Sequence, residues 1–166
     1  LVLLHRRIAF FVFAFCCAVY ASAADAPKAI VIVLDGLRPD YVTQEAMPNV
    51  YALGQRGVVC ANHHSVFPTV TRVNSSTFST GCYPARHGIM GNTIYVPAVD
   101  KEKGFSTGDA KNLMKLNEVT GGKVLTVPTL GEILESAGMK LFVASSGSSG
   151  SSFLLNPHVK GGGIVN

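Results

Sequence analysis

The stretch that most limits the possible folds is Ala29-Ile-Val-Ile-Val-Leu34, six consecutive apolar residues followed at once by Asp35-Gly36. An unbroken Val/Ile run with no polar alternation is predicted to be a strand buried on both faces, as in a parallel sheet covered by helices. Parallel neighbours need crossover connections, so α/β organisation is expected for the remainder of the chain. In open α/β sheets ligands gather beyond the carboxyl ends of strands, where Asp35 would stand; read locally, Asp-Gly is also an ordinary turn.

Downstream, Met47 to Gln55 reads as a helix closed by Gly57, and Val58 to Phe67 as a second strand. It leads into Phe67-Pro-Thr-Val-Thr-Arg-Val-Asn-Ser-Ser-Thr-Phe-Ser-Thr-Gly-Cys-Tyr-Pro-Ala-Arg-His-Gly-Ile-Met-Gly-Asn92. Pro68 fixes a turn, Thr71 can cap a helix through its hydroxyl, and no helix breaker occurs from Arg72 until Gly81. Thr71 is therefore expected at a helix N-terminus, where the macrodipole and unpaired N–H groups favour an anion. By position alone Thr71 is an N-cap. His63 and His64 are neighbours on the expected strand, so they would face opposite sides and could not chelate one ion together.

These residues resemble the type I phosphodiesterase and nucleotide pyrophosphatase family of the alkaline phosphatase superfamily. The family pattern Pro-Thr-x-Thr-x-x-Asn, then Thr-Gly-x-Tyr-Pro-x-x-His-Gly-Ile-x-x-Asn, is matched by Pro68, Thr69, Thr71, Asn74, Thr80, Gly81, Tyr83, Pro84, His87, Gly88, Ile89 and Asn92. A second match is Val31-Ile-Val-Leu-Asp-Gly-Leu-Arg-Pro-Asp40, and weaker ones lie at Met47-Pro-Asn-Val-Tyr-Ala-Leu and Val127-Pro-Thr-Leu-Gly-Glu-Ile-Leu. The resemblance implies an alkaline-phosphatase-like, mostly parallel sheet flanked by helices, and hydrolysis of small phosphorylated substrates. It implies Thr71 as nucleophile, forming a phosphothreonine, and two Zn²⁺ as cofactors, one shared by Asp35 and the Thr71 oxygen. It implies Asn92 as donor to a non-bridging phosphoryl oxygen, helped by the backbone N–H of Arg72; Asn74 is expected to support local structure.

The family's site also draws on two further Asp and three His from later in its chain, whereas only Asp100, Asp109 and His158 follow Asn92 here. Residues 25–166 are accordingly expected to be an incomplete, N-terminal portion of a catalytic domain, inactive by itself. His5-Arg6-Arg7, the apolar run Ile8 to Tyr20 and Ala21-Ser-Ala-Ala24 have the form of a secretory signal peptide over 1–24, cleaved near Ala23 or Ala24. A periplasmic or secreted location is the corollary, with membrane attachment only through an uncleaved signal. Without that segment Lys plus Arg falls from 14 to 12 against 10 acids, which is no nucleic-acid footprint. Cys60 and Cys82 remain and could pair on export.

Residues 93–127 are expected to be a loop-rich insertion, Thr129 to Ala137 a helix capped by Thr129 with Glu132 and stopped by Gly138, Lys140 to Ala144 a strand, and Ser145 to Ser152 a flexible Ser/Gly loop. Two other functions compete. Cys82-Tyr-Pro-Ala-Arg86 fits the Cys-x-Pro-x-Arg pattern of formylglycine sulfatases, but there the modified Cys lies nine residues before the Thr-Gly pair, the place held here by Thr71. A non-catalytic phospho-ligand-binding protein on the same scaffold is the other.

Overall fold

The computed structural model describes residues 28–158 and 162–165. The expected signal peptide and its cleavage site lie outside the described residues. The chain divides after Val33 into two units. Of the first, residues 28–33 are described and form neither helix nor strand.

The strand expected over Ala29–Leu34 is therefore not formed: Ile30, Val31, Ile32 and Val33 are 89, 64, 76 and 65% exposed. A continuous apolar run encodes burial, but a strand also needs a neighbour to take its N–H and C=O groups, and that neighbour cannot be supplied locally.

The second unit is α/β. Its described residues hold six α-helices: α1 Pro48–Arg56, α2 Thr71–Thr80, α3 Pro84–His87, α4 Ala110–Val119, α5 Leu130–Ser136 and α6 Ser149–Leu155. The four strands are short: β1 Thr93–Ile94, β2 Phe105–Ser106, β3 Phe142–Ala144 and β4 Gly163–Val165. β1 pairs antiparallel with β2; β3 pairs parallel with β4 in the register Phe142↔Gly163 to Ala144↔Val165. The only parallel pairing among the described residues is thus this two-stranded β3-α6-β4 unit, not a broad sheet. β4 can approach because residue 162 is glycine, where a Cβ would overlap the Leu141 carbonyl oxygen.

Helix α1 is close to the sequence expectation, with Pro48 at its first turn, where a missing N–H costs nothing. α5 carries the expected capping box: Thr129 Oγ1 accepts from Glu132 N at 3.3 Å and Glu132 Oε2 accepts from Thr129 N at 2.8 Å. The strand expected over Val58–Phe67 is absent. Val58 and Val59 are 92 and 73% exposed, and with no partner ladder the segment runs as an irregular connection into a cis Phe67–Pro68 bond.

Two expected loops contain helices. Within 93–127, α4 starts at Asp109, whose Oδ1 accepts from Lys111 N at 2.9 Å, and it buries Leu113 and Leu116. Each such side chain contributes on the order of 2 kcal/mol on leaving water. Within Ser145–Ser152, Ser148 caps α6 by accepting from Ser151 N at 3.3 Å. Gly150, Ser151 and Ser152 are buried there because small side chains let the helix backbone lie directly against its neighbours. The core joins Val73 of α2, Leu113 and Leu116 of α4 and Leu154 of α6 with Ile89, Val99, Phe105, Val124 and Leu125. α6 packs on both α2 and α4, so the start of α2 rests on a packed base.

Candidate active site

Asp35 leads a sharp turn. Gly36 has φ +77°, in the left-handed region that glycine enters freely, and Leu37 N donates to Leu34 O at 3.2 Å. The following 3-10 turn, Pro39–Tyr41, is steadied by a two-pronged pair in which Arg38 Nε and Nη2 donate to Asp40 at 3.0 and 2.8 Å. That pair is exposed and worth little to stability, but it leaves the Asp35 carboxylate uncommitted to the local arginine.

Thr71 stands at the first residue of α2, not at the cap. The cap is Val70, in extended backbone, and no side chain caps the helix. The expected capping bond is absent because the Thr71 hydroxyl is used elsewhere: Oγ1 donates to Asp35 Oδ2 at 3.0 Å, across 36 residues of sequence. The leading N–H groups of α2, which have no acceptor within a helix, consequently stay open to an anion.

The approach to Thr71 is held by Asn74. Its Oδ1 accepts from Val66 N at 3.0 Å, and its Nδ2 donates to Val70 O at 3.1 Å and to Val66 O and Pro68 O at 3.4 Å. Asn74 therefore folds the 66–70 turn onto the first turn of its own helix, a structural task.

Asn92 ends the turn after α3. Its main-chain oxygen is anchored by Thr107, which donates from N at 2.9 Å and from Oγ1 at 3.0 Å. Its side-chain Oδ1 is buried with no hydrogen-bond partner. A buried amide end without a partner is costly, and a half-turn of the amide would offer Nδ2 at the same place. The structure thus joins Asp35 to Thr71 directly and leaves the Asn92 amide uncommitted.

His87, inside the second motif, is fully buried. Its Nδ1 accepts from Ile89 N at 3.2 Å and its Nε2 lies 3.1 Å from Thr77 Oγ1. Since Nδ1 is an acceptor, the ring is the neutral tautomer with the proton on Nε2, which donates to Thr77. Burial lowers its pKa below the ordinary histidine value, opposed in part by the backbone hydrogen bond. His87 is a packed strut between α2 and the 88–92 turn. Thr126 ties the same segment from outside, donating from N to His87 O at 3.3 Å and from Oγ1 to Arg86 O.

As a metal site, the Asp35 carboxylate and the Thr71 hydroxyl are two adjacent oxygen donors, about half the set that zinc takes. They fit one side of a zinc ion. Among the described residues no three His, Cys, Asp or Glu side chains come together; His63 and His64 join no such group. Cys82 follows the C-terminal end of α2, about 15 Å from Thr71 by helical rise. There the dipole is negative, and its thiol, like that of Cys60, is free.

Sequence comparisons extend these observations. The chain is 40% identical over 73 residues to an uncharacterized pyrophosphatase/phosphodiesterase of Schizosaccharomyces pombe, covering 44% of this chain and 15% of that protein. It is 33% identical over 98 residues to a bis(5'-adenosyl)-triphosphatase of Bos taurus, 59% of this chain and 21% of the relative. Against venom phosphodiesterase 2 of Crotalus adamanteus the identity is 35% over 85 residues, 50% and 10% of the two chains. The matches thus span about a fifth or less of the curated relatives' length. No solved structure matches significantly. The family model for type I phosphodiesterase / nucleotide pyrophosphatase matches residues 29–153, both site motifs included, and the chain belongs to that family.

Proposed function

We propose that residues 25–166 are the N-terminal portion of a periplasmic or secreted catalytic domain with an alkaline-phosphatase-like, mostly parallel sheet, exported through a signal peptide at 1–24. The complete protein hydrolyses phosphodiester or pyrophosphate bonds of small phosphorylated substrates, with Thr71 as nucleophile. The observation that carries this reading is the 3.0 Å hydrogen bond from Thr71 Oγ1 to Asp35 Oδ2. It unites the two motifs at the open end of a helix. The names of the relatives, a triphosphatase of a dinucleotide and venom phosphodiesterases, speak for a nucleotide-sized substrate.

Thr71 directs its proton at Asp35, which leaves oxygen lone pairs free to meet phosphorus. As the Oγ–P bond forms, the Thr71 hydroxyl proton passes to the Asp35 carboxylate it faces, the bond from phosphorus to the leaving oxygen breaks, and that oxygen takes up a proton from water. Water then cleaves the phosphothreonine and restores the hydroxyl. The Asn92 amide and the Arg72 backbone N–H would hold a non-bridging oxygen as its charge grows. Asp35 and Thr71 would be ligands of one of two Zn²⁺, which when bound lower the hydroxyl pKa and neutralise phosphoryl charge.

The test is hydrolysis of bis-p-nitrophenyl phosphate by the complete protein with zinc, beside the monoester and an aryl sulfate, for wild type and Thr71→Ala. Diester turnover lost in Thr71→Ala supports the reading; turnover that survives, or cleavage of the sulfate alone, overturns it. Residues 25–166 alone are expected to hold fewer than two zinc ions and to show no turnover. Stoichiometric two-zinc binding with diesterase activity in that polypeptide would refute this.

A further inference from the structure

Thr107 lies in a segment whose composition suggests only loop, yet it is 0% exposed and spends every polar atom facing the 91–92 turn on that turn. Its N donates to Asn92 O at 2.9 Å, and its Oγ1 lies 3.0 Å from both Gly91 O and Asn92 O. Two consecutive carbonyls are thereby fixed by one residue, through its main-chain N–H and a single hydroxyl proton shared between them, and with them the peptide planes on either side of the Asn92 Cα.

Thr107 is itself held from behind. Gly150 N donates to Gly108 O at 3.0 Å. A Cβ at Gly150 would overlap Thr107 O and the Gly108 backbone, so only glycine lets α6 come this close. On another side a Cβ at Gly108 would stand 3.3 Å from Arg72 Nη2, which puts the 107–108 strap beside the guanidinium of Arg72, the second residue of α2. The strap therefore touches both a side chain of the helix that carries Thr71 and the turn that carries Asn92.

We infer that Thr107 is the positioning residue for Asn92, and that Gly150 of α6 braces it. The inference rests on the reading of Asn92 as a phosphoryl contact. Asn92 has no side-chain anchor on Oδ1, so its aim depends on its backbone, and Thr107 is what fixes that backbone.

The test is a double-mutant cycle in the complete protein with bis-p-nitrophenyl phosphate and zinc. Thr107→Val keeps the shape and removes the hydroxyl; it is expected to lower kcat/KM about 10-fold, the worth of one lost hydrogen bond. Thr107→Ser, which keeps the hydroxyl, should recover most of the loss. In an Asn92→Ala background, Thr107→Val should cost nothing further, although its effect on the urea midpoint persists. Should Thr107→Val not fold, Thr107→Ala, which removes the hydroxyl and adds no bulk, is tested with and without Asn92→Ala in the same way. Losses that add in the double variant, or a silent Thr107→Val beside a damaging Asn92→Ala, overturn the inference alone. An Asn92→Ala variant with undiminished kcat/KM overturns the assigned role of Asn92, and the inference with it.

Discussion

Acidification should destabilise this fold through His87. The ring is fully buried, and Nδ1 is committed as an acceptor from Ile89 N at 3.2 Å. A proton on Nδ1 would turn that bond into two opposed donors and place an uncompensated charge in a buried site. Burial accordingly lowers the pKa from the ordinary 6.5. From about pH 7.5 upwards the ring is essentially neutral in both folded and unfolded chains and contributes almost no slope. Below it the unfolded chain takes up the proton first, so stability falls as pH falls, down to the folded-state pKa, where the loss levels off. The ceiling is set by the unfolded histidine alone, about 2 kcal/mol at pH 5. The assay is equilibrium urea denaturation at about pH 7.5 and about pH 5, on wild type and on His87→Asn. Asn can offer Oδ1 to the Ile89 N–H but does not titrate. His87→Asn should be less stable at neutral pH by roughly 1 to 3 kcal/mol, through lost packing and the lost Thr77 bond. Its further loss on acidification should be smaller than that of wild type. An identical drop in both proteins would refute the reasoning, because every other titrating group is common to the two.

Other consequences arise from single contacts. Thr129→Ala removes both the acceptor for Glu132 N and a donor to Glu132 Oε2, and should lower stability by about 1 to 2 kcal/mol with an unchanged urea slope. Leu154→Ala empties a fully buried site where α6 meets the core, for a loss of roughly 2 to 5 kcal/mol in the same assay. Gly131→Ala places a Cβ inside contact distance of Asn156 Oδ1, and should cost about 1 to 3 kcal/mol by overpacking, seen as a lowered melting temperature.

The part of the fold legible in the sequence is the part that acts over short range. The Thr129 to Glu132 capping box needs four consecutive residues, and the structure forms it as expected. The same holds for α1, with Pro48 inside its start and Gly57 after its end. The expected strands at 29–34 and 58–67 fail for the opposite reason. Their apolar residues record a demand for burial, but pairing is supplied by other segments, and the demand alone does not hydrogen-bond a backbone. Helix α4 escapes a sequence reading although Asp109, Leu113 and Leu116 provide a cap and an i, i+3 apolar pair. The many polar residues around them hide a stripe only two core positions wide.

The candidate site divides along the same line. Asp35 and Thr71 stand out in the sequence because each sits in a compact motif, and they are hydrogen-bonded to one another. The residues that hold the neighbourhood in shape give no such signal. Thr107 is one threonine in a polar stretch, and Gly150 is one glycine in a Ser/Gly run that reads as flexible. Their importance exists only once a carbonyl from residue 92 and a helix from residues 149–155 both arrive at the same strap. Small residues make this possible because close backbone approach, unlike burial of a large side chain, leaves no hydrophobic pattern in the sequence. Supporting residues of this kind must therefore be sought in the structure, by asking which carbonyls of a motif are held, and by whom.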